Sequence, residues 1–478
     1  MNSEGHREAP GHGSGGLFGL RLPPMVDVLA RWPVFVVRFE WLKVRQMYRS
    51  AKGPALTMIW TNLFWIIPIL VYGQYAQVYA LELGIKKVEI GYLAAVNMCA
   101  QVVFFLVGGW LTDRLGSLRC VLLFDTLSWP LPMAILAGAS QPWHFYAAAA
   151  LAGSMTAVIP GWHAIFVSRV PADRRAAAYG LHAIVTNVPG LFFPLVGGWM
   201  IGGLGLELSM RWLYLTAAWL MLLGCAIRWA LVPTTPPARE HTPGAIETLR
   251  DQFGIYFRTA FRPGMRSFFL ALALMNLDIA VTGAYLPVYF MKYLGLSEQH
   301  YALVSTAGCV VRLVGMVLVV PFIRVGNTKR FLVATSACWA AGTLVLITLL
   351  RHPEPPGLVS AVFGWSPEAP PRMYLLGAIL AVNVIWAVGG AFWGPAIMAQ
   401  WMNTIPEDIR SRLWGAHGAV TQVLAAGAVA VVGNLYALWC PALVVVEVAI
   451  EIGAVIFFAL SPVGTSAPAE VKAEAAAK

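Results

Sequence analysis

The sequence predicts an all-α polytopic membrane protein, with twelve transmembrane helices in two pseudo-symmetric six-helix bundles. Three observations lead there. The 478 residues are 59% hydrophobic and only 12% charged, with a mean hydropathy of +0.69, too apolar for an ordinary soluble domain. Windows of about 20 apolar residues, the length that crosses a bilayer, recur along the whole chain. The chain also repeats itself. Gly73, Tyr75, Val78 and Tyr79 return 210 residues later as Gly283, Tyr285, Val288 and Tyr289. Pro160, Pro171, Asp173, Arg175, Gly180, His182, Val185, Thr186 and Val188 return 235 residues later as Pro395, Pro406, Asp408, Arg410, Gly415, His417, Val420, Thr421 and Val423.

In chain order, residues 1–54 form an N-terminal extension whose first 20 residues are rich in Gly, His and Ser. From Arg21 to Lys52, basic residues interleave with Trp32, Phe35, Phe39 and Trp41, the pattern of a helix on an anionic leaflet or of a plain basic anchor. The first bundle, 55–232, holds spans near 55–80, 90–111, 120–138, 143–167, 176–201 and 212–232. A linker, 233–265, carries Pro233, Pro236, Pro237 and Pro243 among Arg239, Arg250, Arg258 and Arg262. The second bundle, 266–461, holds spans near 266–291, 299–323, 331–350, 373–399, 413–438 and 440–460. The long outer loop 351–372 accounts for the growth of the repeat offset from 210 to 235, and residues 462–478 read as a cytoplasmic tail, either solvated or a helical linker scar.

The net charge of +10 follows from topology and requires no nucleic-acid partner. Basic residues gather at the chain start, after even-numbered spans and at the chain end, which places both termini in the cytoplasm of a protein integral to the cell membrane. The six cysteines have no metal-ligand spacing and read as small buried hydrophobes. No nucleophile and base, metal cluster or phosphate-binding loop stands out, so neither an enzyme nor a cofactor is expected.

The loop after span two reads Gly108-Gly109-Trp110-Leu111-Thr112-Asp113-Arg114-Leu115-Gly116-Ser117-Leu118-Arg119. Its charges force the apolar flanks to turn back, and Gly109 and Gly116 are expected to supply close helix approach and a positive φ. Gly109, Leu111, Asp113, Arg114, Gly116 and Arg119 match the signature loop between the second and third helices of the major facilitator superfamily, which this chain resembles; Ser117 replaces the usual basic residue. The resemblance implies alternating access, with parallel halves around an axis along the membrane normal and a cavity lined by spans one, four, seven and ten. It also gives Asp113 a gating role, against the N-terminus of span eleven and arginines such as Arg114, Arg169 or Arg412. Gly190, Pro194, Gly197 and Gly198 partly resemble the antiporter motif of span five, with Phe193 standing where that motif has glycine.

Charges inside spans are costly and mark function or pairing. Asp278 lies 12 residues after Arg266 and Arg312 lies 12 before Arg324, so each is placed about 18 Å deep. An unpaired charge there costs at least about 2.5 kcal/mol. The matched depths predict an Asp278–Arg312 pair, either a static salt bridge or one that a proton or substrate opens. Glu447 and Glu451, one turn apart on span twelve, are further protonation candidates. Asp125 and Arg228, nearer span ends, are expected to reach the interface. His182 and His417 are repeat-related and read as packing hydrogen bonds or as pH sensors.

Candidate cavity residues are Asn62, Trp65, Tyr72 and Tyr75 on span one, Trp162 and His163 on span four, and Asn383, Trp386 and Trp393 on span ten. Such a lining suits an amphipathic organic molecule. The expected partners are therefore a small-molecule substrate, coupling protons and the lipid bilayer, around a monomer. The expected function is proton-coupled export of an organic or drug-like compound. An uptake permease for a sugar, peptide or other metabolite is the alternative within transport, and a non-transporting receptor or scaffold the alternative outside it.

Overall fold

The computed structural model describes residues 53–170, 175–234, 245–319, 322–323, 326–351 and 371–462. The expected surface helix of residues 21–52, most of the outer loop and the C-terminal tail lie outside the described residues. Among the described residues twelve helices are long and apolar enough to cross a membrane. Spans 1 to 6 are Pro54–Glu82, Lys87–Leu115, Ser117–Ala137, Pro142–Phe166, Leu181–Leu204 and Leu206–Leu231. Spans 7 to 12 are Arg266–Tyr293, Glu298–Val319, Thr328–Thr348, Tyr374–Met402, Arg412–Leu438 and Ala442–Leu460. With an even number of crossings, Pro54, the 232–266 connection and Leu460 share one end, called here the linker end; the other is the far end.

Proline shapes several spans. It removes a backbone donor and its ring collides with the carbonyl four residues back. Span 4 accordingly passes through a 3₁₀ turn, Gly153–Ala157, ahead of Pro160, and span 5 through another, Val188–Leu191, around Pro189. Two span-to-span turns rest on one glycine each: Gly116, at φ 83°, joins spans 2 and 3, and Gly205, at φ 82°, joins spans 5 and 6. Side chains other than glycine rarely adopt such φ values.

Span 6 begins six residues earlier than its apolar pattern predicts, at Leu206 instead of Trp212. Its polar first turns are satisfied within the protein: Arg211 pairs with Glu207 at 3.0 Å and donates to the Ala137 and Ala139 carbonyls. The linker contains a helix that the proline-rich sequence did not announce, Ala245–Ala260. It is fastened to span 11 by Arg412 Nη1 on Asp251 Oδ2 at 2.7 Å, and it buries Tyr256 with Phe269, Trp401 and His417.

The apolar cores are distributed unequally between the two ends. The largest runs through both halves, joining Tyr75, Tyr79 and Tyr214 to Tyr285, Tyr289 and Tyr436. The cores toward the linker end are each confined to one half. One gathers Tyr256, Phe268, Trp401 and Phe458; the others gather Ile59, Phe166 and Leu181, then Met58, Val121 and Ile165.

Candidate functional site

At the far end the two halves are clasped by a pair of repeat-related tyrosines. Tyr75 of span 1 donates its hydroxyl to the Glu298 carbonyl of span 8 at 3.1 Å, and it lies over Gly198 of span 5, whose missing Cβ would meet both Tyr75 Oη and Glu298 O at 3.2 Å. Tyr285 of span 7 takes the equivalent position by packing, its hydroxyl having no hydrogen-bond partner among the described residues. Its hydroxyl rests between Gly91 of span 2 and Gly433 of span 11, where a Cβ on either glycine would collide with it, and Val88 O is 3.1 Å from where Gly433 would carry its own. Gly433 follows Gly198 by 235 residues and Glu298 follows Val88 by 210, so the clasp obeys the repeat. Gln77 Nε2 adds a bond to Gly283 O at 3.1 Å, and Lys292 pairs with Glu82.

Within the second half, three carboxyl groups are buried together. Asp278 of span 7, Glu447 and Glu451 of span 12 are 4%, 1% and 3% exposed, and Asp278 acts electrostatically on both glutamates. Only hydroxyls serve them: Thr282 donates to Glu447 Oε1 and Thr343 of span 9 to Glu451 Oε1, each at 3.1 Å, while Asp278 Oδ1 and Glu451 Oε2 have no partner among the described residues. Trp386 of span 10 completes the surround, its Nε1 donating to Thr343 Oγ1 at 3.3 Å and to Trp339 O at 3.1 Å.

The expected Asp278–Arg312 pair does not form. Arg312 is exposed, with its guanidinium beside Gly390 of span 10. At 100° per residue it points about half a turn away from the exposed apolar stripe Leu303, Val310 and Val314, so it faces inward and not toward lipid. Equal depth alone does not bring the two together, because the azimuth of span 8 directs Arg312 toward Gly390.

The first half holds the opposite arrangement, a buried cation that is fully served. Arg228 is 1% exposed and Asp125 4%, so neither reaches the interface as their positions near span ends suggested. Arg228 Nη1 donates to Asp125 Oδ2 at 2.5 Å and Nε to Thr61 Oγ1 at 2.9 Å; Nη2 donates to Asn62 Oδ1, and the guanidinium lies 4.1 Å from the Trp65 ring centroid. Asn62 Nδ2 then contacts His182 Nε2 at 2.7 Å, and the His182 ring lies 5.1 Å from that of Trp162.

The remaining expected cavity residues divide. Asn62, Trp162 and His163 keep exposed surface. Trp65, Tyr72 and Tyr75 are buried instead: Trp65 under Arg228, Tyr72 against Tyr214 at 4.9 Å, Tyr75 in the clasp. On span 10, Asn383 is half-buried and donates to Val304 O at 2.5 Å. Trp386 and Trp393 pack inward on Trp339, and Trp393 also on Phe458. In the loop after span 2, Asp113, Arg114 and Arg119 are exposed, and Arg114 stacks on Trp110 at 4.8 Å. Close helix approach falls to Gly108, where a Cβ would come within 2.9 Å of Ala157 Cα, and not to Gly109, which has open space around it.

The family model for the Major Facilitator Superfamily matches residues 55–431. The chain belongs to that superfamily. Among solved structures, the facilitator resembles the nucleoside transporter NupG at TM-score 0.63 and 12% identity, over 86% of this chain and 100% of that one. It resembles the peptide transporter POT bound to alafosfalin at 0.62 and 16%, over 88% and 98%, and a D-xylose-proton symporter at 0.61 and 14%, over 86% and 98%. No curated protein sequence matches it.

For a facilitator, sequence reasoning located the charged loop, Asp278 and the Glu447/Glu451 turn, and missed the Asp125–Arg228 pair. A signal for that pair existed. An aspartate and an arginine, each several residues inside an apolar run, were the complementary charges of the first half. His417, read as a packing residue or sensor, is buried beside the linker-helix Tyr256, whose hydroxyl is 3.5 Å from its Nδ1. Burial raises the Tyr256 phenol above its ordinary range, so it remains a donor.

Proposed function

We propose that this facilitator is a secondary active transporter working by alternating access between the halves 55–232 and 266–461, and that protons drive export of an organic or drug-like compound. One observation carries the reading. The largest apolar core, with its repeat-related tyrosine clasp, bridges the halves at the far end, whereas the cores toward the linker end each stay within one half. Such a body shares a core on the far side, while toward the linker side its halves meet through helix packing such as Phe105 of span 2 on Gly418 of span 11, a weaker hold that can part. Both termini and the linker are assigned to the cytoplasm, in the cell membrane, as the distribution of Lys and Arg supports. The protein works as a monomer, by binding and gating and without bond-making chemistry.

Asp278, Glu447 and Glu451 are the assigned proton carriers. Three charged carboxylates with, among the described residues, two hydroxyl donors and no paired cation would be prohibitively costly in a hydrocarbon setting, so in this conformation the group holds its acids protonated. They can ionise only when the half rearranges and water or a cation reaches them. Arg312, exposed on the inner side of span 8, is the cation that rearrangement can bring nearer. The partial antiporter motif on span 5 supports export: Gly197 packs on the Val71 backbone of span 1, and Gly198 on Ala302 of span 8 as well as Tyr75.

The test is proton movement in proteoliposomes with a pH-sensitive dye, using a compound that raises the melting temperature of the purified protein. Substrate moving out should bring protons in, and Asp278→Asn should abolish the proton movement while binding persists. Proton movement unaffected by that substitution would overturn the assignment. A second reading is symport, as the printed name of the D-xylose-proton symporter suggests for one structural neighbour. Substrate and protons moving in the same direction would establish it.

A further inference from the structure

The buried cation of the first half ends in a histidine whose hydrogen-bonding sense is dictated by its neighbours. Arg228 can only donate, so Asn62 must turn its oxygen toward Nη2 of Arg228 and its amide nitrogen toward His182. That amide donates to His182 Nε2, which must therefore carry no proton. The ring is then neutral with its proton on Nδ1. No protein atom accepts from that nitrogen among the described residues, and the ring as a whole is only half-buried. Asp125 closes the relay from the other end by neutralising and holding Arg228.

Around this donor the walls are aromatic. Trp162 lies 5.1 Å from the His182 ring at 56°, and His163, exposed, meets Trp162 edge-on at 5.3 Å and 89°. The guanidinium is withdrawn from contact with a ligand. It is sealed by Asp125, Thr61, Asn62 and the face of Trp65. A site with a fixed N–H donor, flat apolar walls and, among the described residues, its cation Arg228 withdrawn selects a neutral planar molecule with a hydrogen-bond acceptor over an anion of the same shape.

We infer that His182, Trp162 and His163 form a subsite for the acceptor edge of an uncharged aromatic or heteroaromatic compound, with Asn62, Arg228 and Asp125 as positioning residues that fix the histidine's tautomer. The inference names a substrate class for the transporter reading above and rests on it for biological meaning, but not for its test. Binding is measured on the full-length protein in lipid nanodiscs by fluorine NMR, with 4-fluorobenzamide, 4-fluorobenzoate and 4-fluorobenzylamine as isosteric probes at millimolar concentration.

The neutral amide should bind at least about tenfold better than the benzoate, a step of 1.4 kcal/mol or more, and His182→Ala should remove that preference. His182→Gln, which keeps an N–H donor, should retain part of it. Asn62→Asp is the diagnostic variant. A carboxylate can only accept, so it draws the histidine proton to Nε2 and leaves Nδ1 an acceptor or, doubly protonated, a cation. In either form the benzamide preference must change, in favour of the amine or the benzoate respectively. A role limited to packing would not produce that change. Equal binding of benzamide and benzoate, no binding by any probe, or an Asn62→Asp protein with unchanged selectivity would overturn the inference. Selective binding without any proton-linked flux would uphold it and defeat the transport reading instead.

Discussion

Tyr75 and Tyr285 occupy the same place in the two halves of the chain, and each reaches across the boundary between them. Tyr75 bonds to Glu298 on span 8 of the second half, and Tyr285 rests on Gly91 of span 2 in the first. A contact that each half makes from the same position, one by a hydrogen bond and one by packing on glycine, suits a seal that must open and reclose.

The glycines under those tyrosines set how firmly the far end shuts. Gly433→Ala places a methyl group against Tyr285 Oη and the Val88 carbonyl. Overpacking of this kind costs about 1–3 kcal/mol, so the closed form should lose ground by a factor of about 5 to 150. Labelling of a cysteine introduced at Gln77, by a membrane-impermeant reagent from the outer face, should rise accordingly. Unchanged labelling would mean that the clasp does not hold the seal.

The carboxyl group of the second half should tolerate amides. A protonated acid and its amide carry the same charge and similar shape, so Glu447→Gln and Glu451→Gln are expected to fold with melting temperatures near the parent's while proton coupling fails. Were these residues charged in the folded protein, the substitutions would instead stabilise it strongly by removing uncompensated buried charge. Thermal unfolding in detergent beside proton flux distinguishes the two outcomes.

The pair in the first half should behave in the opposite way. Arg228→Met strands Asp125 in a buried site, with an expected loss of about 3–5 kcal/mol. Asp125→Leu combined with Arg228→Met removes both charges and should recover most of that loss. Denaturation of the single and double variants checks this, and additive losses would show that the two residues act independently.

Adjacent glycines before the charged loop should respond differently to a single methyl. Gly108→Ala collides with the Ala157 backbone and should destabilise the packing of spans 2 and 4, whereas Gly109→Ala meets open space and should gain up to about 1 kcal/mol of helix propensity. The melting temperatures of the two variants give the comparison directly.

The spans were legible because a bilayer demands about 20 apolar residues and tolerates few charges. The repeat was legible as residue identities. Helix rotation was not. Lipid is as apolar as a packed interior, so a membrane helix carries little hydrophobic asymmetry to mark its inward side. Asp278 and Arg312 have equal depth and still miss one another, while Asp125 and Arg228 were assigned to the surface and meet in the interior. Glu447 and Glu451 were readable as neighbours one turn apart, but their burial against Asp278, Thr282 and Thr343 depends on how span 12 docks between spans 7 and 9. The linker helix was hidden because prolines and charges precede it, and its order comes from docking on span 11 through Asp251 and Tyr256.

Pulsed electron–electron spin resonance between labels at both ends tests alternating access most directly. In a background lacking the six native cysteines, one pair sits at the exposed far-end positions Lys87 and Ser297 and the other at Arg119 and Arg330 on the linker end. Two distance populations are expected in each pair, the far-end distance lengthening under the same substrate and proton conditions that shorten the linker-end distance. A single unchanging distance in both pairs, or two ends that open and close together, would contradict the account.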